Sequence, residues 1–203
     1  SSSRSSSKSA ISSLGMFSST STVLLSDNSL MIAPLYSESI SSRVSAARSS
    51  SRDSNTCFLE LVSRFFAYYD NYENNYENYT GNVTKYIDDY VEEQNKKAEE
   101  NENIIIECQK TFANMLSYAE KILGKRGFRK SLTSKSTPRA RFEALSLGIA
   151  VALKENPNLP IREVKGWIDS EEFAKCTRSD AANNKTKLVG RINFVRDKLL
   201  SGE

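Results

Sequence analysis

Seven positively charged side chains lie within seventeen residues near the middle of the chain, and they are the strongest candidates for ligand contact. Ammonium and guanidinium groups bind phosphate, and the free N–H groups at a helix N-terminus would add to such a site. The alternative is a solvated basic loop that pairs with acidic helices elsewhere in the chain. The candidate phosphate- or nucleic-acid-binding residues are Lys125, Arg126, Arg129, Lys130, Lys135, Arg139 and Arg141.

The glycines of this segment do not form a nucleotide-binding P-loop. That motif needs four residues between its two glycines, a lysine directly after the second glycine and a strand before the first. Here only two residues separate Gly124 from Gly127, and the preceding segment has a helical pattern. We therefore exclude a P-loop.

Catalytic and metal-binding residues are not predicted. The chain contains no histidine, which excludes a histidine base, histidine–metal sites and Ser-His or Cys-His nucleophile pairs. Cys57, Cys108 and Cys176 lie too far apart to indicate a disulfide framework or a metal cluster. The adjacent acids Asp88 and Asp89 would point in different directions on a helix, so they make a poor catalytic pair.

A second polar segment precedes the last predicted helix. Asp180, Asn183, Asn184 and Lys185 are polar enough to bind a ligand. We favour the alternative that Asp180 caps the helix, because aspartate is a common N-cap residue.

The helix that follows the basic cluster is expected to lie inside the fold. Thr137 is predicted to cap it and Pro138 to occupy its first position, where proline is favoured. The residues up to Leu153 are apolar on nearly every face, a pattern typical of a helix covered on several sides. Arg139 and Arg141 lie in the first turn, where the helix dipole disfavours cations. A carboxylate of this chain or a ligand is therefore expected to face them.

Apolar residues at helical spacing predict further helices and no strand, so the fold class is all-α, a multi-helix bundle. Trp167 and Phe173 are expected to be core residues. The first predicted helix starts at Cys57, and the second starts at Val83 and runs into an exposed segment at 92–101. The third starts at Asn103, has Ile105 on its buried face and ends before Gly124. A fourth starts at Thr137, a short helix starts at a capping box from Asp169 to Glu172, and the buried face of the last helix holds Leu188, Ile192, Val195 and Leu199.

Composition divides the chain into two regions. Residues 1–56 hold 23 serines against nine in the other 147 residues, so we predict a serine-rich, partly ordered or atypical segment there and a helical domain over 57–203. No apolar run reaches the roughly 20 residues of a membrane span, and no signal-peptide core is present. We expect a cytoplasmic protein with no membrane contact.

Charge is also segregated along the chain. Eleven acids and three lysines lie between Asp70 and Glu107, whereas nineteen Lys and Arg and ten acids follow from Cys108 onward. The two halves are expected to face each other inside the fold, and the alternative is that the basic half contacts nucleic acid or nucleotide phosphates.

Four segments resemble one family. ELVSRFFAYYDNY (60–72), GFRKSLTSKSTPRARFEALSLGIAVAL (127–153), WIDSEEF (167–173) and TRSDAANNKTKLVGRINFVRDKLL (177–200) are similar to the helical C-terminal half of the ParB-like, GmrS-type domain of GmrSD restriction and defence proteins. The resemblance covers about residues 25–200. It implies that the bundle is the helical part of a larger α+β domain. It also implies an antiphage defence role, in which a DGQQR-type motif hydrolyses nucleoside triphosphates. No DGQ triplet occurs in this chain.

The resemblance therefore implies a helical accessory module that supports nucleotide or DNA binding by a missing catalytic domain. Its expected partners are that N-terminal domain or a partner subunit, and DNA. No cofactor is expected in this chain, and a nucleoside triphosphate with Mg²⁺ would belong to the full-length parent. The alternative is a stand-alone helical protein- or nucleic-acid-interaction module without catalysis.

Overall fold

The computed structural model describes residues 54–178 and 183–202, which form seven α-helices and one 3-10 helix and contain no strand. This confirms the all-α prediction. The division into two domains stays a prediction, because the serine-rich segment lies almost wholly outside the described residues. The helices are α1 Ser54–Asp70, α2 Val83–Glu100, α3 Asn103–Leu123, the 3-10 helix Gly124–Arg126, α4 Arg139–Glu155, α5 Lys165–Ile168, α6 Glu171–Cys176 and α7 Lys185–Ser201.

Helix α4 is the centre of the fold. Every residue from Ala140 to Ala152 is buried, as the all-round apolar pattern predicts. Helices α1, α3 and α7 pack around α4 and cover it. The prediction of a buried central helix is confirmed.

The closest helix packing joins α4 to α7 at a glycine. A Cβ atom built on Gly148 would lie 2.5 Å from the Cβ atom of Val195 and 3.1 Å from the backbone oxygen of Ile192. Only a residue without a side chain allows the two backbones to approach this closely. The buried face of α7 is the one predicted, with Leu188, Ile192, Val195 and Leu199 at 1% exposure or less.

The connection between α1 and α2 is an ordered turn packed by its own tyrosines. Tyr76 is fully buried and Tyr79 nearly so, and both rings pack edge-on against Tyr68 of α1. Asn75 and Tyr76 have φ angles of 48° and 53°, a left-handed pair that reverses the chain. The aromatic rings of this connection therefore pack against α1.

Two predicted helix starts are placed differently in the structure. Helix α4 begins at Arg139, so Pro138 takes the cap position and Thr137 does not cap the helix. Helix α6 is capped by Ser170, whose hydroxyl accepts a hydrogen bond from the N–H of Phe173 at 3.1 Å. The capping box at Asp169 is therefore wrong by one residue.

The remaining helix ends follow from residue type. Asn184 caps α7 by accepting from the N–H of Lys187 at 3.2 Å, so the cap is not Asp180, which lies outside the described residues. Gly124 follows α3 with a φ of 57°, which confirms the predicted stop. Over the described ranges, no helix is both long enough and apolar enough to cross a membrane.

Candidate functional site

The segment Gly124–Pro138, here called the basic loop, is held in place by one arginine. The guanidinium of Arg129 donates to the backbone oxygens of Lys125 at 2.8 Å, Arg126 at 3.1 Å and Leu132 at 3.5 Å. The ring of Phe128 packs edge-on against Phe142 of α4, with the ring centroids 5.0 Å apart. The loop is therefore a built structure, tied to itself and to the central helix.

Three of the seven predicted phosphate-binding residues have an ammonium group that is exposed to solvent. Lys125, Lys130 and Lys135 are exposed, and their side chains make no ion pair or hydrogen bond within the described residues. Arg126 instead pairs with Asp169 at 2.7 Å. The structure thus brings the lysines together only as members of one loop, and phosphate binding stays a prediction.

The two arginines at the start of α4 contact groups of the protein. Arg139 pairs with Glu60 of α1 at 3.0 Å, which confirms the prediction that a carboxylate faces it. The side chain of Arg141 is buried, lies over the ring of Phe173 and donates to the backbone oxygen of Ile168 at 3.3 Å. Burial and the nearby Arg126 lower the pKa of Arg141, and Asp169 opposes that shift. Arg141 is a packing residue in this fold.

A buried ion-pair network that was not predicted from the sequence links α1, α4 and α7. The carboxylate of Glu143 is 3.2 Å from the Nη1 atom of Arg64 and 3.3 Å from the Nη2 atom of Arg191. Arg64 also pairs with Glu60 at 3.1 Å. Burial raises the pKa of Glu143, while the two arginines oppose the shift. Glu143 is a single acid within the apolar run of α4, and this pattern could have predicted the network, because a buried charge needs a partner.

This network is closed to ligands. Glu143 is 3% exposed and Arg191 is 1% exposed, so neither group can meet a substrate from solution. Its role is to fix the three helices against one another, since removing either partner would leave an uncompensated charge in the core.

The neighbouring tyrosines are packing residues as well. Burial raises the pKa of Tyr68 and Tyr76, and it raises the pKa of Tyr86 to about 12. The hydroxyl of Tyr79 donates to the backbone oxygen of Asn183 at 2.7 Å. Because these phenols stay neutral at ordinary pH, they do not act as bases.

The described residues contain no group of three or more cysteine, aspartate or glutamate side chains that could hold a metal ion. Cys108 and Cys176 form no disulfide within the described residues and lie in half-buried positions. The described part of the chain thus presents no assembled metal or nucleophile site.

One part of the bundle extends past the central core. Helices α1 and α3 pack against each other through Phe65 and Phe112, whose ring centroids are 5.1 Å apart. Helix α1 ends at Asp70, which accepts a hydrogen bond from Tyr90 of α2. Beyond that point, the end of α2 and the start of α3 continue as a helical hairpin over residues 92–107, in which Ala98 alone is buried. We call this segment the α2–α3 hairpin.

The α2–α3 hairpin carries excess negative charge. Glu92 pairs with Lys96 at 2.8 Å and Glu93 pairs with Lys97 at 2.6 Å. In each pair of α2, the lysine neutralises the charge of the glutamate four residues before it. The acids without an ion pair among the described residues are Glu99, Glu100, Glu102 and Glu107.

Three consecutive isoleucines at the start of α3 lie outside the core. Ile106 is 60% exposed, and Ile104 and Ile105 are half-buried without joining the core cluster. The prediction that Ile105 belongs to the buried face of α3 is therefore wrong. Successive residues of a helix point about 100° apart, so three in a row cannot share one buried stripe.

Comparison with known proteins gives one match. The model of the family PRESAN, described as Plasmodium RESA N-terminal, matches residues 38–147. No curated protein and no solved structure matches the chain. The match ends inside α4, whereas α4 continues to Glu155 and packs against α7. The folded unit therefore includes residues beyond the matched segment.

This match corrects the resemblance to GmrSD proteins, which is wrong. The antiphage defence, restriction and ParB-like assignments fall with it, as does the accessory-module function. The similar segments are mostly helices, and amphipathic helix patterns recur in unrelated proteins. The nucleoside triphosphate, Mg²⁺ and missing catalytic domain implied by that resemblance lose their basis. With more than half of its residues matched, the chain belongs to the PRESAN family, the Plasmodium RESA N-terminal family.

Proposed function

We propose that this chain is a helical protein-interaction module without catalysis, and that it binds partners through the α2–α3 hairpin. The observation that carries the proposal is the isoleucine triplet Ile104–Ile106, which lies outside the core on a projecting hairpin. Apolar surface surrounded by charge is typical of protein-binding sites.

The charge of the hairpin indicates the chemistry of the partner. The hairpin that carries the isoleucines also presents four glutamates that form no ion pair within the described residues, so the complementary surface combines apolar side chains with lysine or arginine. A basic amphipathic segment meets both requirements, because its apolar face can cover Ile106 while its cations meet the glutamates.

The buried polar groups support a non-catalytic role. Among the described residues, buried charged side chains such as Glu143 and Arg141 are enclosed by the bundle and contact other parts of it. Active sites instead place such groups in a cleft where substrate can reach them. The matching family is named for an N-terminal region, which agrees with a module of a larger protein.

Titration of the isotope-labelled chain with a basic amphipathic Lys/Leu peptide tests the proposal. We expect the amide resonances of residues 92–107 to shift, and we expect Ile106→Gln to weaken binding about tenfold through the loss of apolar burial. Ile161→Gln is the matched control, because Ile161 is 54% exposed and lies outside both the hairpin and the basic loop. An acidic Glu/Leu peptide should not bind. Shifts confined to other parts of the chain, or none, would contradict the proposal.

The basic loop supports a second candidate function, binding of nucleic acid. Its supporting observation is that Lys125, Lys130 and Lys135 are exposed and have no partner among the described residues. Replacing all three by alanine should weaken binding to DNA or RNA and reduce the salt slope by about two to three. The buried Arg141 makes a poor probe, since its loss would disturb packing. Binding that is equally salt-dependent without the lysines would contradict this candidate.

A further inference from the structure

We infer that the chain associates with a second copy of itself head to tail, with the α2–α3 hairpin of one copy against the basic loop of the next. This inference rests on the proposed role of the hairpin as a binding surface. It identifies the partner as a surface of the same chain.

The two surfaces lie at opposite ends of one rigid element. Helix α3 starts in the hairpin and ends where the basic loop begins, and its 21 residues span about 30 Å at 1.5 Å per residue. The hairpin and the loop therefore cannot meet within one molecule. Any contact between them has to join two copies.

The two surfaces are complementary in charge. The hairpin presents four glutamates without ion pairs, and the basic loop presents three lysines without partners among the described residues. Opposite unpaired charges steer two surfaces together and fix their relative orientation.

Each surface also carries a strongly exposed apolar side chain. Ile106 is 60% exposed in the hairpin and Leu132 is 64% exposed in the loop. Ile106 lies in the acidic hairpin and Leu132 lies in the basic loop, so each has charges in its own surface that are opposite to those of the other surface. A contact between the surfaces would remove both side chains from water while it pairs their charges.

The helix dipole explains only part of this arrangement. The dipole favours an acid at the start of α3, where Glu102 lies, and cations after its end, where the basic loop follows. It disfavours Glu99 and Glu100, which lie in the last turn of α2. It gives no reason for an exposed isoleucine at one end and an exposed leucine at the other. Burial against another molecule does.

Both surfaces are held in shape before they bind. The guanidinium of Arg129 fixes the basic loop by donating hydrogen bonds to the backbone oxygens of Lys125 and Arg126. In the hairpin, the side-chain oxygen of Asn101 accepts from the N–H of Asn103 at 3.1 Å and fixes the turn. A preformed surface loses less conformational freedom on binding. Because the two surfaces differ, the contact is heterologous and produces rings or open chains of copies.

Sedimentation of the full chain at increasing concentration, in low and in high salt, tests this inference. We expect concentration-dependent association that salt weakens. The hairpin variant Glu102→Lys with Glu107→Lys and the loop variant Lys130→Glu with Lys135→Glu should each weaken it more than about tenfold. The control Lys165→Glu with Lys175→Glu makes the same charge change as the loop variant at exposed sites outside both surfaces and should associate like the unchanged chain. Circular dichroism checks that all variants fold.

Mixing separates this contact from other kinds of association. The hairpin variant retains its basic loop and the loop variant retains its acidic hairpin, so an equimolar mixture should associate again. A chain that stays monomeric in low salt at high concentration, or association that neither variant changes, would overturn the inference. Binding of the Lys/Leu peptide in that case would leave the proposed function intact, whereas its absence would remove both.

Discussion

The surroundings of α4 and the α2–α3 hairpin use the same residue types for opposite purposes. Around α4, Glu143 is buried and each of its carboxylate oxygens pairs with a buried arginine. In the hairpin, Glu102 and Glu107 are exposed and form no ion pair with the described part of the chain, and Ile106 faces water. The difference shows that burial decides whether a charge fixes the fold or stays available to a partner.

Energetics separates the two regions in the same way. An exposed ion pair contributes about 0–1 kcal/mol, because water and salt screen it. Breaking a buried pair costs about 3–5 kcal/mol, since the remaining charge has no solvent around it. Stability should therefore depend on the α4 region and depend little on the hairpin.

The largest effect is expected from the buried ion-pair network. Glu143→Ala should lower the free energy of unfolding by about 3–5 kcal/mol, because it leaves Arg191 and Arg64 buried with no carboxylate between them. Glu93→Ala is the hairpin control, as its pair with Lys97 is exposed, and should change stability by about 0.5 kcal/mol or less. Urea unfolding followed by circular dichroism measures both. Equal effects in the two variants would remove the distinction between the regions.

The second effect concerns packing between α4 and α7. Gly148→Ala should cost about 1–3 kcal/mol, because the new methyl group would overlap the side chain of Val195. The matched control is Gly190→Ala in α7, where a Cβ atom would have no neighbour within 4 Å. That change should stabilise the chain by about 0.5–1 kcal/mol, since alanine favours a helix over glycine. Thermal unfolding compares them, and a stabilising Gly148→Ala would show that the helices are less tightly packed.

The third and smallest effect is a loss of stability at alkaline pH. Burial raises the pKa of Tyr86 to about 12, whereas an unfolded tyrosine titrates near about 10. The unfolded state therefore releases its proton first, so stability is full below about pH 10 and falls as pH rises toward about 12. Tyrosinate absorbance and urea midpoints across this range measure the loss. Tyr86→Phe is the control and should show a smaller alkaline decrease.

The family match and the structure set different limits on the module. The PRESAN match covers residues 38–147, which includes α1 to α3 but only the first half of α4. The structure adds α7, whose residues Leu188 and Ile192 are fully buried against the rest of the bundle. The smallest folding unit therefore needs the chain through α7.

The sequence by itself determined the fold class and most of the helices. Apolar spacing of 3.6 residues is a local property, so it predicted α1, α2, α3 and α7 together with the buried face of α7. The all-round apolar composition of α4 predicted its central position. The sequence did not determine the exact first residue of α4 and α6. Thr137 and Asp169 are residue types that cap helices, but the N-cap residues in the structure are Pro138 and Ser170.

Only the tertiary structure decided what the charged and exposed residues do. Arg139 and Arg141 are alike in sequence, yet one pairs with Glu60 at the surface and the other is buried over Phe173. Ile105 and Phe112 fit the same helical pattern, yet α1 covers the second and ends before it reaches the first. The physical reason is that burial depends on which distant elements pack together, and helical periodicity carries no information about where a neighbouring helix stops.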